Sequence, residues 1–503
     1  MKSLEGVKVV TAEEMARIER SACDCGASDE AFMESAGKGI AHLTEEFVLE
    51  CNGAKQALLL VGKGNNGGDA YVAGRLLKER GFCVSALHLF PLADCSPLCQ
   101  TECRRFQESG GQVSFPKGEE ELLFPEEGIV LDGLVGTGFQ GKAEGLVAAA
   151  IERANRSALP LLAIDIPSGL NGNTGEVGSV AVRATLTFYL GLPKIGFFLK
   201  SGWERVGELM RVDFGLEKQF IEEAKAEAFL LHEEALSSLL PPLLRTRHKY
   251  QAGYVLGIGA SQAMPGAALL ASLAALRSGA GLVRLFYPEG MEEALSSAPY
   301  ELIKEGWDLK EDKRIREEMA RAKAMFLGPG MGRSKEAKRA FLHLLGKIKL
   351  PCVLDADALY FLSEEKEREL PEISLFTPHH QEMQRLLSPT ENLWTGTQKF
   401  ADQKDVTVVL KGAPSVIFHP FTAPLIVPYG DPGMATAGTG DVLTGVLAAL
   451  LAQGLSPKEA AALGVFLHAI AGEAAAFEKS SYAMIASDVI DFLPEAFNQL
   501  LGS

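Results

Sequence analysis

The chain has 503 residues, 47% of them hydrophobic and 23% charged, with 49 Lys and Arg against 65 Asp and Glu and a formal net charge of -16. That length exceeds one ordinary core and predicts roughly two to four domains, and the composition excludes a wholly disordered or collagen-like chain. The acidic balance, with no long basic stripe, argues against a nucleic-acid binder, and the N-terminal text lacks the apolar segment of a secretory signal.

Residues 11–22 and 30–50 read as helices. Residues 57–61 (ALLLV) read as a strand, followed by a Gly-rich turn and an amphipathic stretch over 70–80. Strands are expected at 83–90, 128–132 and 159–164, with helices at 96–109 and 146–155 between them. Alternation at this spacing predicts a parallel sheet covered by helices. Residues 214–247 are charged and helical, then carry Pro241-Pro242; they read as a seam, with the boundary near 215–230. The pattern then restarts with a strand at 254–259 and a small-residue helix at 266–279. Strands at 282–287, Ala324–Leu327, Cys352–Leu354 and Thr407–Leu410 and helices at 435–453 and Pro457–Lys479 follow. The chain is expected to be α/β with two domains, 1–220 and 225–503. No unbroken apolar run approaches the ~18 residues of a membrane span, and stretches such as 447–452 fit core helices.

Seven of the eight cysteines lie before position 104. Cys95, Cys99 and Cys103 recur every four residues and share one helix face. No second pair or His completes a tetrahedral site, so they read as small buried side chains with one exposed thiol, and the thiols as reduced ones in a cytosol.

The first Gly cluster, Gly62-Lys63-Gly64-Asn65-Asn66-Gly67-Gly68-Asp69, follows a strand and opens a helix. GKGNNG fits G-x-G-x-x-G, but a dinucleotide site also wants an acid at the end of the next strand. That strand ends Leu87-His88-Leu89-Phe90, and the first acid is Asp94. The run therefore reads as a backbone-amide cradle for phosphate, not as part of a hydride-transferring enzyme. Asp132 ends the next strand, in LDGLVGTGFQGK, and Asp165 the one after, in AIDIPSGLNGNTGE. Open parallel sheets gather ligands beyond the carboxyl ends of their strands, so Asn66, Asp132 and the Asp165/Ser168 turn should converge. Each Asp alone could be a helix cap; their oxygens together favour a hard cation.

NNGGD, LDGLVGTGFQGK and DIPSGLNGNTGE resemble the NAD(P)HX epimerase domain, the YjeF N-terminal family, over most of residues 1–215. The resemblance implies a Rossmann-like three-layer α/β/α sandwich that interconverts the R and S hydrates of NADH or NADPH and binds one potassium ion. By it, Asn65, Asn66, Gly67, Gly68 and Asp69 contact the hydrated cofactor, as do Gly136, Thr137, Gly138, Phe139, Gln140, Gly141 and Lys142. Asn66, Asp132 and Ser168 would ligate potassium, and Asp165 would be the acid/base at the nicotinamide end. Epimerisation by ring opening, or by loss and return of water, needs a positioned carboxylate and no redox centre.

In the second half, GIGAS, GPGMG, DADAL, TPHHQE and KGAPS each follow an expected strand. Gly438-Thr439-Gly440 would line backbone N–H groups at the start of an apolar helix, an oxyanion site for a phosphoryl group in transit. Asp441 could act there as a base on a hydroxyl, or merely complement the helix dipole. No Walker-type G-x-x-x-x-G-K-[ST] occurs, which excludes a P-loop site.

GTGD before a late helix resembles the ribokinase-like superfamily. The whole set, HK…GIGAS, GPGMG, DADAL, TPH and KGA…GTGD, is similar to ADP-dependent NAD(P)HX dehydratase over roughly residues 225–503. The resemblance implies a ribokinase-like α/β/α domain that dehydrates the S hydrate to NAD(P)H while ADP becomes AMP and phosphate; eukaryotic members use ATP. Asp441 would be the base. Ala267, Gly332, His379 and Asp441 would contact the hydrate. Lys411, Gly412, Ala413, Pro414, Ser415 and Gly440 would contact the nucleotide, accompanied by magnesium. The chain departs from the family at Tyr250, at Ala260 in place of a Gly, and at His380-Gln381 in place of Pro-Gly; Pro414 also removes a backbone donor. A second reading is a small-alcohol kinase with an N-terminal regulatory ligand-binding domain, since it too begins with phosphoryl transfer to a hydroxyl. The expected partners are NADHX, NADPHX and ADP or ATP, with no nucleic acid and no membrane, in a cytoplasmic homo-oligomer.

Overall fold

The computed structural model describes residues 3–139, 141–365 and 369–502. The chain divides into two units, Lys8–Ala228 and Phe229–Ser503, the latter joined by Met1–Val7. Strand β1 (Glu5–Val9), which no sequence pattern announces, belongs to the sheet of the second unit.

The Lys8–Ala228 unit opens with α1 (Ala12–Asp24) and α2 (Asp29–Glu50). The side chains of Thr11 and Ser28 cap them, accepting from the amides of Glu14 and Ala31. Then follow β2 (Gln56–Val61), α3 (Asn65–Glu79), β3 (Cys83–His88), α4 (Pro97–Glu108), β4 (Gln112–Ser114), β5 (Ile129–Gly133), α5 (Gly145–Arg156), β6 (Leu161–Ile164), β7 (Leu186–Leu190) and β8 (Glu208–Val212). Their order is β4-β3-β2-β5-β6-β7-β8, and every pair is parallel. The strand order reverses between β2 and β5, which opens a crevice at their carboxyl ends. One face buries Ile40, Tyr71 and Phe106; the other buries Leu58, Leu60 and Ile151. Cys95, Cys99 and Cys103 lie in the first of these cores. Helix α3 starts before the expected residue 70, because Asn65-Asn66-Gly67-Gly68 form its first turn and let it lie close to Met33 of α2.

The second unit contains β9 (Ala228–Leu231), β10 (Tyr254–Ile258), α6 (Pro265–Arg277), β11 (Leu282–Pro288), β12 (Ile303–Trp307), β13 (Ala324–Leu327), β14 (Cys352–Leu354), α7 (Asp357–Ser363), β15 (Ser374–Phe376), α8 (His380–Leu386), β16 (Thr407–Leu410), β17 (Ser415–Phe418), β18 (Leu425–Val427), α9 (Thr439–Ala452), α10 (Pro457–Lys479) and α11 (Ala486–Leu501). Its sheet runs β1-β9-β18-β17-β16-β15-β14-β13-β10-β11-β12. Strands β12 to β16 pair in parallel, whereas β16, β17 and β18 form an antiparallel meander. The expected strand before Thr377 is β15; the sequence pattern misses β17 and β18, runs of three or four residues with no usable period.

Among the described helices α10 is long and apolar enough to cross a membrane, yet 83% of its apolar window is buried inside the fold. It is a core helix, packed against α9 and α11. Unbroken apolar runs do not reveal it; its average hydropathy does. Ala260, just after β10, adopts φ 68, the left-handed region where the family expects Gly. Its methyl group is fully buried, which offsets part of the strain.

Helices α6 and α9 meet at Gly445, where an added Cβ would lie 1.9 Å from the Ala271 carbonyl oxygen. Gly445→Ala in an ordinary helix interior would gain about 1 kcal/mol. Here it is expected to lose about 2 kcal/mol through backbone displacement. The check is the urea midpoint of the full chain; a raised midpoint would contradict the packing.

Candidate active sites

The carboxyl ends of β2, β5 and β6 open onto a cavity of 770 Å³. The chain leaves β2 at Gly62, where a Cβ would lie 1.7 Å from the Leu134 carbonyl oxygen, so only Gly lets the two turns touch. Gly64 is the N-cap of α3 and no side chain caps its first amides, which suits an anion.

Asp132 is 1% exposed. Its Oδ2 accepts from the Ser168 amide at 2.8 Å, and its Oδ1 from the Ser168 hydroxyl at 2.6 Å and the Leu134 amide at 3.3 Å. Burial pushes the carboxyl up to about 6, against the pull of these three donors. The Val135 amide in turn donates to Ser168 Oγ at 2.9 Å. Asn66 is buried, and its Nδ2 has no partner among the described residues.

Asp165 has φ 64, an uncommon conformation for a residue with a Cβ. Its Oδ1 accepts from the Leu190 amide at 3.2 Å and from the ammonium of Lys194, which is fully buried. Sequence reasoning missed Lys194; the available signal was a lone cation inside the apolar text GLPKIGFF.

The cavity wall carries Asn65, Asn66, Asp69, Gly136, Thr137, Gly138, Phe139, Lys142 and Asp165. Gly67 and Gly68 are not on it; they pack against the Gly62 carbonyl and the Met33 side chain. Gly141 is also off the wall. Gln140 lies outside the described residues. Burial, then the Asp165 and Glu19 carboxylates, hold Asp69 well above the usual carboxylate range. At the end of β3, where a dehydrogenase would place its acid, stands His88, bonded to Tyr71 Oη at 2.7 Å and to Cys95 Sγ at 3.1 Å. Burial lowers it to about 4.

In the second unit, α9 begins at Gly438 (φ 99), so Gly438-Thr439-Gly440 form its first turn. Asp441 stands one residue further. Burial pushes it up to about 7; the Asp355 carboxylate adds to this and the Lys411 ammonium opposes it. Asp355, 1% exposed, receives Lys411 Nζ at 2.8 Å and the Thr444 hydroxyl at 2.7 Å. A Cβ on Gly440 would lie 3.1 Å from Lys411 Nζ, so the ammonium sits against the helix start. Burial alone would lower Lys411, but the Asp355 and Glu382 carboxylates raise it. His468 Nε2 lies 2.9 Å from the Thr439 carbonyl oxygen. Burial lowers His468 to about 4, so this ring is neutral and donates. Asp355 opens the DADAL run but was given no role there; Thr444 and His468 were missed.

The His380-Gln381 departure is absorbed by a helix start. His379 Nδ1 accepts from the amides of Gln381 (3.1 Å) and Glu382 (3.4 Å), and the His379 amide donates to Glu382 Oε2 at 2.9 Å. Only Nε2 of the exposed ring remains for a ligand, and Glu382 Oε1 is 3.5 Å from it. Lys411, Gly412, Ala413, Pro414 and Ser415 lead from β16 into β17; Gly412 and Ala413 are exposed and Pro414 is buried. A separate cavity of 350 Å³ is lined by Ser261, Trp307, Gly332 and Arg333. The Gly332 amide and Arg333 Nε both donate to Asp357, at 2.9 and 2.8 Å. Ala267 lies half-buried in the first turn of α6.

Residues 29–196 match the family described as YjeF-related protein N-terminus, and residues 255–495 the one described as NAD(P)H-hydrate dehydratase. The chain is 35% identical, over 98% of its length, to a bifunctional NAD(P)H-hydrate repair enzyme of Moorella thermoacetica, 97% of which is covered. It is 32% identical, over 95% of its length, to one of Coxiella burnetii, 96% of which is covered. Among solved structures, a ribokinase-like superfamily protein of Enterococcus faecalis matches 54% of the chain and 95% of its own, with TM-score 0.50 and 27% identity.

Replacing Lys411 by Met would leave the Asp355 charge buried with only the Thr444 hydroxyl. Lys411→Met is expected to destabilise its unit by about 3 kcal/mol, and Asp355→Asn made in that background to recover part of it. Equilibrium unfolding of the two variants checks this.

Proposed function

The chain belongs to the bifunctional NAD(P)H-hydrate repair enzymes; from that membership we propose an epimerase in its first unit and a dehydratase in its second. The first interconverts the R and S hydrates of NADH and NADPH. The second returns the S hydrate to NAD(P)H while ADP becomes AMP and phosphate. The observation that carries the reading is that each unit keeps its own polar cluster, built on a buried Asp, at the carboxyl edge of a largely parallel sheet. One contains Asp132, Asp165 and Ser168; the other contains Asp355, Lys411 and Asp441.

In the epimerase, Lys194 orients Asp165 and compensates its charge, and Asp165 exchanges a proton with the hydrate. Asn66, Asp132 and Ser168 would hold potassium. Their oxygens suit a hard cation, and the Asn66 amide fits once its oxygen and nitrogen exchange places. When bound, that ion supplies fixed positive charge beside the cofactor phosphates.

In the dehydratase, Asp441 takes the proton of the hydrate hydroxyl as that oxygen attacks the terminal phosphorus of ADP, and AMP departs. The phosphate then leaves with the electron pair of the C–O bond, pushed by the lone pair of the ring nitrogen. Loss of a proton from the neighbouring carbon restores the ring double bond. Lys411 and the first amides of α9 face the phosphoryl group in transit. Magnesium would arrive with the nucleotide. Among the described residues no group of three His, Cys, Asp or Glu could cage a metal, which suits an ion held mainly by phosphates. All eight cysteines are free thiols, in keeping with a cytoplasmic enzyme.

Mixed R/S NADHX supplied with ADP and magnesium should regain absorbance at the NADH band to completion, with one inorganic phosphate per NADH. Consumption of only half the mixture would remove the epimerase; a phosphorylated alcohol as product would remove the dehydratase. Asp441→Asn should lower kcat of dehydration about 10²–10⁴-fold. Because Asp441 is raised to about 7 and must be ionised to act, kcat/KM should fall about tenfold per pH unit below that value. A rate flat from pH 5 to 8 would exclude Asp441 as the base.

A further inference from the structure

Glu19 stands on α1, on the face that brings Met15 and Ala16 to the wall of the 770 Å³ cavity. Ala12, Met15, Ile18 and Ala22 of the same helix are buried, so this side of α1 is turned inward. Two other glutamates of the helix are engaged. Glu14 pairs with Arg17, and Glu13 receives the Asn173 amide. Glu19 makes no hydrogen bond or ion pair with any described residue, although it borders the same space as Asp165.

The two carboxyls are dressed differently. Asp165 holds the Lys194 ammonium and the Leu190 amide. Glu19 has no cation in contact. Burial, then the Asp165 charge, push it to about 7; Asp29 adds to this, and Lys194 and Arg20 pull the other way. Asp69, the third acid on this wall, is also held well above the usual carboxylate range by burial and by these two neighbours. The cavity therefore presents a carboxyl held by an ammonium and an amide together with one that has neither. Two carboxyls in unlike surroundings can divide the acid and base roles.

We propose that Glu19 is a second proton-transfer residue of the epimerase site, acting with Asp165; this rests on the epimerase reading above. Inversion at the hydrated carbon needs attack from the face opposite departure, which one carboxyl could serve only by reaching both faces. Groups on α1 and at the end of β6 divide the work. Glu19 gives its proton to the hydroxyl. The C–O bond breaks, its electron pair leaves with the oxygen as water, and the lone pair of the ring nitrogen forms the C=N bond of an iminium. Water adds to the other face, the C=N pair returns to nitrogen, and Asp165 takes the surplus proton. Atoms and electrons of the substrate balance. One proton has passed from Glu19 to Asp165, and the reverse turnover or exchange with solvent restores it.

The test uses the full chain with a single resolved NADHX epimer and no ADP, so that only epimerisation is read. Glu19→Gln should lower kcat about 100-fold or more with KM changed less than about threefold, and Glu19→Asp should recover part of the rate. The parent should lose rate above about pH 7, and that loss should vanish in Glu19→Gln. The inference is overturned if Glu19→Gln keeps kcat within about twofold of an active parent, or if Glu19→Asp fails equally with KM rising in step. A parent chain unable to epimerise would instead overturn the functional reading beneath it, and the inference with it.

Discussion

A carboxylate buried at the end of a parallel strand must be given donors or a cation, because leaving it bare costs several kcal/mol. Both units are organised around that requirement. Asp132 and Asp355 are each 1% exposed, and the chain answers them differently. Asp132 takes three hydrogen bonds from Ser168 and Leu134 and no ion pair with a described side chain. Asp355 takes the Lys411 ammonium and the Thr444 hydroxyl. In the first unit this draws the turn after β6 onto the end of β5. In the second it draws the end of β16 and the second turn of α9 onto the end of β14. The polar loops meet because the buried charges oblige them to.

Against these satisfied acids stand three whose surroundings favour the proton. Asp441, Glu19 and Asp69 are shifted upward chiefly by burial, and none forms an ion pair with a described residue. Asp132 and Asp355 hold geometry; Asp441 and Glu19, each pushed to about 7, are able to exchange protons near neutral pH. The two sites place their cations accordingly. Lys194 lies beneath Asp165, fully buried, as a fixed counter-charge, whereas Lys411 is partly exposed against the start of α9, where an incoming phosphate can also feel it.

Much of this was legible beforehand. Residues 57–61, 128–132 and 159–164 read as strands and lie within or close to β2, β5 and β6, because buried parallel strands are short apolar runs bounded by Gly and Asp. The cysteines at 95, 99 and 103 read as core with one exposed thiol; all three are core, since a period of four keeps them on one helix face. The short strands β17 and β18 were not legible; they are held by pairing with their neighbours in the sheet. Nor was the use of His379 Nδ1 as a helix cap, which depends on where the backbone turns after β15.

By itself the sequence determined the α/β class, the order of the elements, the Gly-rich strand ends and the acids Asp132, Asp165 and Asp441, because each is written in a contiguous run. Tertiary structure decided which groups face those acids. Lys194, Glu19, Asp355, Thr444 and His468 stand outside or at the margins of the motifs, and α1 precedes Asp165 by more than a hundred positions. Charge compensation and burial act through space over a few ångströms. They set the protonation states on which the chemistry depends, and no local pattern of residues encodes them.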